Sequence, residues 1–169
     1  MIQQNHRSER GRQLINSPVG KISLLSEGDA IVGLYFGDVK NEWDIGQNRQ
    51  NHRVLTQCEE ELKKYFAGEL KEFTVAVRAV GTAFRERVWA ELSEIPYGRR
   101  LSYKDIALRI GNEKAVRAVG GANHHNPVSI IIPCHRVVGA DGSLTGYGGG
   151  MEAKRWLLDL EAKHAGKTN

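Results

Sequence analysis

Cysteine is scarce in this chain: two occur in 169 residues, Cys58 and Cys134. Two distant thiols make no disulfide framework, and their default state is the reduced one of an intracellular, cytoplasmic protein. No CxxC pair and no Cys/His cluster has zinc-ligand spacing, so no metal is expected. The neighbours His124 and His125 do not suit a single ion, since adjacent helical residues point about 100° apart. Long apolar runs are also missing. None approaches the length needed to span a bilayer, and the N-terminal MIQQNHRSERGRQ lacks a signal-peptide core. No GxGxxG stands between a strand and a helix, which removes a dinucleotide site, and no cofactor is expected.

What is present is a soluble globular composition, 40% hydrophobic and 26% charged, with a formal net charge of +4. The excess is uneven. Residues 1–80 hold 11 Lys/Arg against 11 Asp/Glu, and residues 81–169 hold 13 against 9. Within 99–117, six bases (Arg99, Arg100, Lys104, Arg109, Lys114, Arg117) face two acids, Asp105 and Glu113. Such a surplus suits either a polyanion partner or a solvated helix face.

Gly and Pro punctuate residues 12–36 into RQLINS, KISLLS and AIVGLYFG, which predicts an antiparallel meander. After a polar segment from Asp38 to Asn51, VLTQCEEELKKYFAGEL shows a helical rhythm with Cys58 on its apolar stripe, where it reads as packing. Composition shifts near Val80-Gly81, so the domains are expected at 1–80 and 81–169. Thr82 is a helix cap. Ser102 and Asp105 resemble a capping box for a short helix through Arg109, and Ile110-Gly111-Asn112 forms a turn into a helix from Glu113 to about Ala122. Two helices on a glycine-containing turn are a helix-turn-helix signature or a structural helix pair. The second presents Lys114 and Arg117 on a surface of Ala, Val and Gly. The loop from Gly139 to Gly150 is half glycine, with Tyr147 its prominent aromatic. It is either a connector or a pocket wall. In the last helix, AKRWLLDLEAKH, Glu161 follows the apolar side made by Trp156, Leu157 and Leu160, either at the solvent edge or reaching inward.

The stretch IIIPCHRVVG carries the sharpest signal. A buried strand is expected to end at Pro133, which donates no ladder hydrogen bond. Cys134, His135 and Arg136 follow, and such residues are costly to bury without partners. They either turn outward or make Cys134 a nucleophile held on a strand-to-turn corner.

PCHRV, preceded by KAVRAVGGA and NPVSIII and followed by GSLTGYGGG and KRWLLDLE, resembles the O6-alkylguanine-DNA alkyltransferases (methylated-DNA–protein-cysteine methyltransferases) over about residues 70–165, with YFAGEL matching upstream. The resemblance implies an α+β fold, with a small N-terminal ribonuclease H-like α/β domain before a C-terminal winged helix-turn-helix domain. It implies that Cys134 accepts the alkyl group, that His135 is the base acting through a water, and that Glu161 orients it. Tyr103 would hydrogen-bond the flipped guanine, and Asn126 would brace the active-site turn. Arg117 would fill the base stack, with Lys114, Tyr103 and Gly120 also on the DNA side. Val137, Tyr147 and Gly148 would wall the pocket. Many members carry serine where this chain has Gly148, and NHHNP ends its recognition helix where others carry a shorter or more cationic side chain. The zinc ligands of some members are absent. The implied partner is duplex DNA containing O6-alkylguanine or, less efficiently, O4-alkylthymine, bound by a monomer without a membrane.

These residue types suit displacement at a saturated carbon. A thiol must become thiolate to attack, so it needs a base and a positive environment. Alkyl transfer leaves a thioether that water does not cleave, so the protein turns over once. A Cys-His-Glu hydrolase would use the same three groups repeatedly, and a lesion sensor would bind without transfer.

Overall fold

The computed structural model describes residues 10–40 and 52–166. The N-terminal residues 1–9 and most of the polar segment expected between Asp38 and Asn51 lie outside the described residues. Two compact units meet between Arg78 and Ala79.

In the first unit β1 (Arg10–Ser17), β2 (Gly20–Glu27) and β3 (Ala30–Phe36) form an antiparallel sheet in chain order. The turns are short: Ser17 pairs with Gly20, and Glu27 with Ala30. Gly20 and Gly28 take the positive φ those turns demand, 100° and 62°. A segment beyond the helix adds to the free side of β3, with Ile31 bonded to Ala76 O (2.8 Å) and Arg78 N to Ile31 O (2.9 Å). Helix α1 (His52–Phe66) lays Val54, Leu55, Cys58, Leu62 and Tyr65 in the core, all buried. Burial, with Glu61 and Glu59 nearby, pushes the Cys58 thiol up to about 12. It packs in the core, where burial holds it as the protonated thiol.

The second unit begins with α2 (Ala83–Ser93), capped by Thr82, whose hydroxyl accepts from Arg85 N. A two-residue strand β4 (Leu101–Ser102) runs into α3 (Tyr103–Arg109), where Ser102 and Asp105 complete a capping box. Gly111, at φ 78°, turns the chain. The following helix differs from the continuous one expected from Glu113. Asn112 makes no side-chain cap, and the chain first tightens into a 3-10 turn (Glu113–Ala115) before α4 (Val116–His124). Trp89 Nε1 donates to Ala122 O at 2.8 Å, tying α2 to the end of α4. Strand β5 (Val137–Val138) pairs with β4 in parallel.

Two expectations are corrected. Residues 130–132 are not a ladder strand. Ile131 N bonds to Ser129 O (2.9 Å) and Ile132 N to Val128 O (3.0 Å), while Ile130 sits at φ 72°. The segment is a compact turn, and a β-branched residue there stores strain on the order of 1–3 kcal/mol. In α5 (Met151–His164) the buried stripe is Ala153, Lys154, Leu157, Leu158 and Glu161, with Trp156 and Leu160 at its margin. Spacing of three and four from Lys154 puts Glu161 on that stripe, not after it. No helix among the described residues is long and apolar enough to cross a membrane.

Candidate active site

The turn from Asn126 to Arg136 is where the chemistry-bearing residues gather. Asn126 holds it: its Nδ2 donates to Ile132 O (2.8 Å) and its Oδ1 accepts from Val128 N (3.0 Å). These two bonds clasp the strained Ile130 from either side. Cys134 then opens a 3-10 turn, Cys134–Arg136, with its backbone N bonded to Ile132 O at 2.8 Å. The outward-facing alternative does not hold, because Cys134, His135 and Arg136 are 3%, 0% and 7% exposed. Burial raises the Cys134 thiol, while the side chains of Asn126 and Ser129 and the ammonium of Lys154 pull it back down. Burial wins, so the resting state is a thiol and attack requires a base to form the thiolate.

Glu161 supplies the partners that make this burial affordable. Its Oε2 accepts from His135 Nε2 at 2.6 Å, and its Oε1 accepts from Arg136 Nε at 2.6 Å and from Gly98 N at 3.3 Å. Burial would raise this carboxyl, but the His135 hydrogen bond and the Arg136 guanidinium take it to about 2. It is a carboxylate at any neutral pH. Burial lowers His135, against the raising effect of Glu161, so the ring is neutral at rest. A carboxylate can only accept, so Nε2 carries the hydrogen and Nδ1 is the basic nitrogen. Arg136 also donates from Nη1 to Ile95 O (2.6 Å) and lies over the Tyr97 ring, 5.7 Å from its centroid. The turn after α2 is thereby drawn against α5. Gly98 is required there, since at φ 79° a Cβ would meet Ala165 Cβ at 2.6 Å.

Lys154 anchors the glycine-rich loop. Its side chain is fully buried, and Nζ donates to Val137 O (2.7 Å) and Thr145 O (2.9 Å). Burial lowers this ammonium, and the nearby Cys134 raises it. Thr145 Oγ1 donates to Tyr103 Oη at 3.0 Å, joining the start of α3 to the same loop. The Tyr147 ring stands edge-on to His135 at 6.5 Å. Gly148 is exposed, with open space where a Cβ would lie.

Cys134, His135, Glu161 and Asn126 thus share one buried cluster, and Tyr103, Val137 and Tyr147 border it. Lys114 and Arg117 do not join it. They are exposed on the outer side of the 3-10 turn and α4, with Gly120 half-exposed beside them. The inner side of that helix holds Val119, Ala122 and Asn123. Asn123 reaches the cluster, its Nδ2 donating to Cys134 O at 3.4 Å.

Sequence reasoning missed Lys154, Arg136, Asn123 and the backbone of Gly98. For Lys154 a signal existed: it stands two helical turns before Glu161, so an inward glutamate requires an inward lysine. Nothing in the sequence marks Gly98 as a donor to a carboxylate so distant along the chain.

Two family models match the chain. The "6-O-methylguanine DNA methyltransferase, ribonuclease-like domain" covers residues 12–79, and the "6-O-methylguanine DNA methyltransferase, DNA binding domain" covers residues 83–163. A methylated-DNA–protein-cysteine methyltransferase of Mycolicibacterium paratuberculosis is 44% identical over 151 residues, 89% of this chain and 92% of that protein. The Haemophilus influenzae protein of the same name is 46% identical over 86% of this chain and 82% of its own length. Among solved structures, Mycobacterium tuberculosis OGT in complex with DNA is similar with a TM-score of 0.82 at 44% identity, covering 91% of this chain and 94% of that one.

Proposed function

The chain belongs to the methylated-DNA–protein-cysteine methyltransferase family, and we propose that Cys134 is the cysteine to which it transfers the alkyl group. The observation that carries this is the wiring of Cys134's neighbour: His135 is buried and hydrogen-bonded to a buried carboxylate at 2.6 Å. In the reaction His135 takes the thiol proton at Nδ1 through a water, becoming an imidazolium stabilised by Glu161. Sγ attacks the alkyl carbon on O6, the carbon–oxygen bond breaks, and its electron pair goes to the guanine. Tyr103 accepts a hydrogen bond from Thr145, which leaves its own hydroxyl hydrogen to direct at a guanine ring nitrogen, where charge develops. The proton taken from the thiol returns through solvent to the guanine ring nitrogen, so the products are intact guanine and an alkylated Cys134. No water-labile bond forms, so each chain acts once.

The substrate is O6-alkylguanine in duplex DNA, with O4-alkylthymine a poorer one. The atoms that react lie within the base stack, so the nucleotide must rotate out. Arg117, exposed on α4, occupies the vacated place, while Lys114 contacts the backbone and Gly120 permits close approach. Val137, Tyr147 and the backbone at Gly148 wall the pocket. Residues 81–169 carry this chemistry and residues 1–80 form the ribonuclease H-like companion domain. The protein acts as a monomer in the cytoplasm, where its two unpaired thiols stay reduced.

Cys134→Ser tests the assignment, because the hydroxyl is nearly isosteric but a far weaker nucleophile. Transfer of a labelled methyl from duplex DNA should vanish while DNA binding persists. Continued transfer in that variant would move the acceptor elsewhere.

A further inference from the structure

The exposed side of α4 ends in a pair of histidines that the transfer reaction does not use. Helical geometry places residues 117, 121 and 124 within a strip about 60° wide, so His124 lies in line with Arg117 and about 10 Å further along the axis. Between them are Gly120 and Gly121, where a Cβ would meet nothing within 4 Å, so the strip is bare backbone flanked by two cationic-capable ends. His125 adjoins it. Its ring packs edge-on against His124 at 5.3 Å, and its Nδ1 lies 2.8 Å from Gly121 O. A carbonyl can only accept, so that nitrogen carries the hydrogen and Nε2 is the atom that gains or loses a proton. Both rings are exposed.

We propose that His124 and His125 form a phosphate-contact site at the C-terminal end of the DNA-reading helix, one that strengthens DNA binding as pH falls. This rests on the reading of α4 as the helix that faces DNA. A protonated imidazole donates from both ring nitrogens and matches a phosphate oxygen in charge, whereas a neutral one offers no net charge. The elements packed against α4 bear Arg85, Glu86, Arg87, Glu91, Tyr103, Lys104, Asp105, Arg109, Glu113 and Lys114. Among the described residues none forms an ion pair or hydrogen bond with either ring. Among the described residues, therefore, no carboxylate competes with DNA for the protonated pair.

The test is the salt dependence of binding to an undamaged 24-base-pair duplex, by fluorescence anisotropy, at pH 6.0 and pH 8.0. Each phosphate neutralised adds roughly 0.9 to the slope of log K against log salt. Wild type should therefore be steeper at pH 6.0, by roughly 0.9 for one contact and roughly 1.8 for two. His124→Asn with His125→Asn should show one slope at both pH values, and His124→Lys with His125→Lys the steep slope at both. Equal slopes in wild type, or the same pH response in the asparagine variant, would overturn the proposal. A wild-type protein that takes no methyl from methylated duplex at either pH would overturn the functional reading instead.

Discussion

Replacing Glu161 with glutamine keeps the size of the side chain and one acceptor oxygen but removes the charge at the centre of the buried cluster. In the native protein that carboxyl is taken from an ordinary 4.5 to about 2, a preference for its charged form of about 3 kcal/mol. The two main sources are His135 and Arg136. Only the part shared with His135 reaches the barrier, since Arg136 stays cationic throughout. The expected loss of transfer rate at neutral pH is therefore between roughly tenfold and a hundredfold. The thiol of Cys134 is already raised by burial, and without an imidazolium to stabilise the thiolate it rises further. Raising the pH should recover part of the rate, because hydroxide forms thiolate without the relay. The assay is alkylation by a small electrophile across pH, resolved by peptide mass so that Cys58 is followed apart from Cys134. A folded Glu161→Gln variant with an unaltered Cys134 pH profile and a rate within twofold of wild type would refute the relay.

Arg117→Ala should slow repair of duplex DNA far more than reaction with a free alkylguanine base, which needs no extrusion; equal losses would assign Arg117 to the pocket or the fold. Lys154→Met leaves Val137 O and Thr145 O without their buried donor, and should cost about 2 kcal/mol in urea unfolding. It should also speed hydrogen exchange in the glycine-rich loop, and unchanged exchange would mean the lysine does not hold that loop. Stability should fall with acid in two stages. His135 is lowered from 6.5 in the folded state, so the unfolded chain binds the extra proton first and stability drops as pH falls below about 6.5. Glu161, depressed from 4.5 to about 2, contributes stability that is complete above about 4.5 and disappears as pH falls towards 2. Urea unfolding at pH 7, 5.5, 4 and 2.5 follows both stages, and a flat response from pH 7 to 5.5 would mean that His135 protonates as readily in the folded protein as in the unfolded chain.

Local chemistry made much of the fold legible in the sequence. The hairpin turns at Pro18-Val19-Gly20 and Gly28-Asp29, the cap at Thr82 and the Ser102/Asp105 box each specify a boundary through near neighbours. The active-site turn was harder. Ile130-Ile131-Ile132 has the composition of a buried strand, and the clasp by the Asn126 side chain, just upstream and outside the apolar run, holds it as a turn with a positive φ. The final helix misled for a related reason: Trp156 and Leu160 look like its core face by hydrophobicity. The buried stripe instead contains Lys154 and Glu161, whose inward placement depends on partners in other segments, Val137 O, Thr145 O, His135 and Arg136. Polar groups buried for chemistry do not obey the apolar rhythm by which helices are read.

The most direct measurement of the central claim is the intact mass of the protein after incubation with excess duplex DNA containing O6-methylguanine, followed by peptide mapping. One methyl group per chain, permanently bound and confined to the peptide bearing Cys134, with no further demethylation of DNA once every chain is modified, is the predicted result. Repeated demethylation by an unmodified protein, or a methyl group on any other residue, would contradict it.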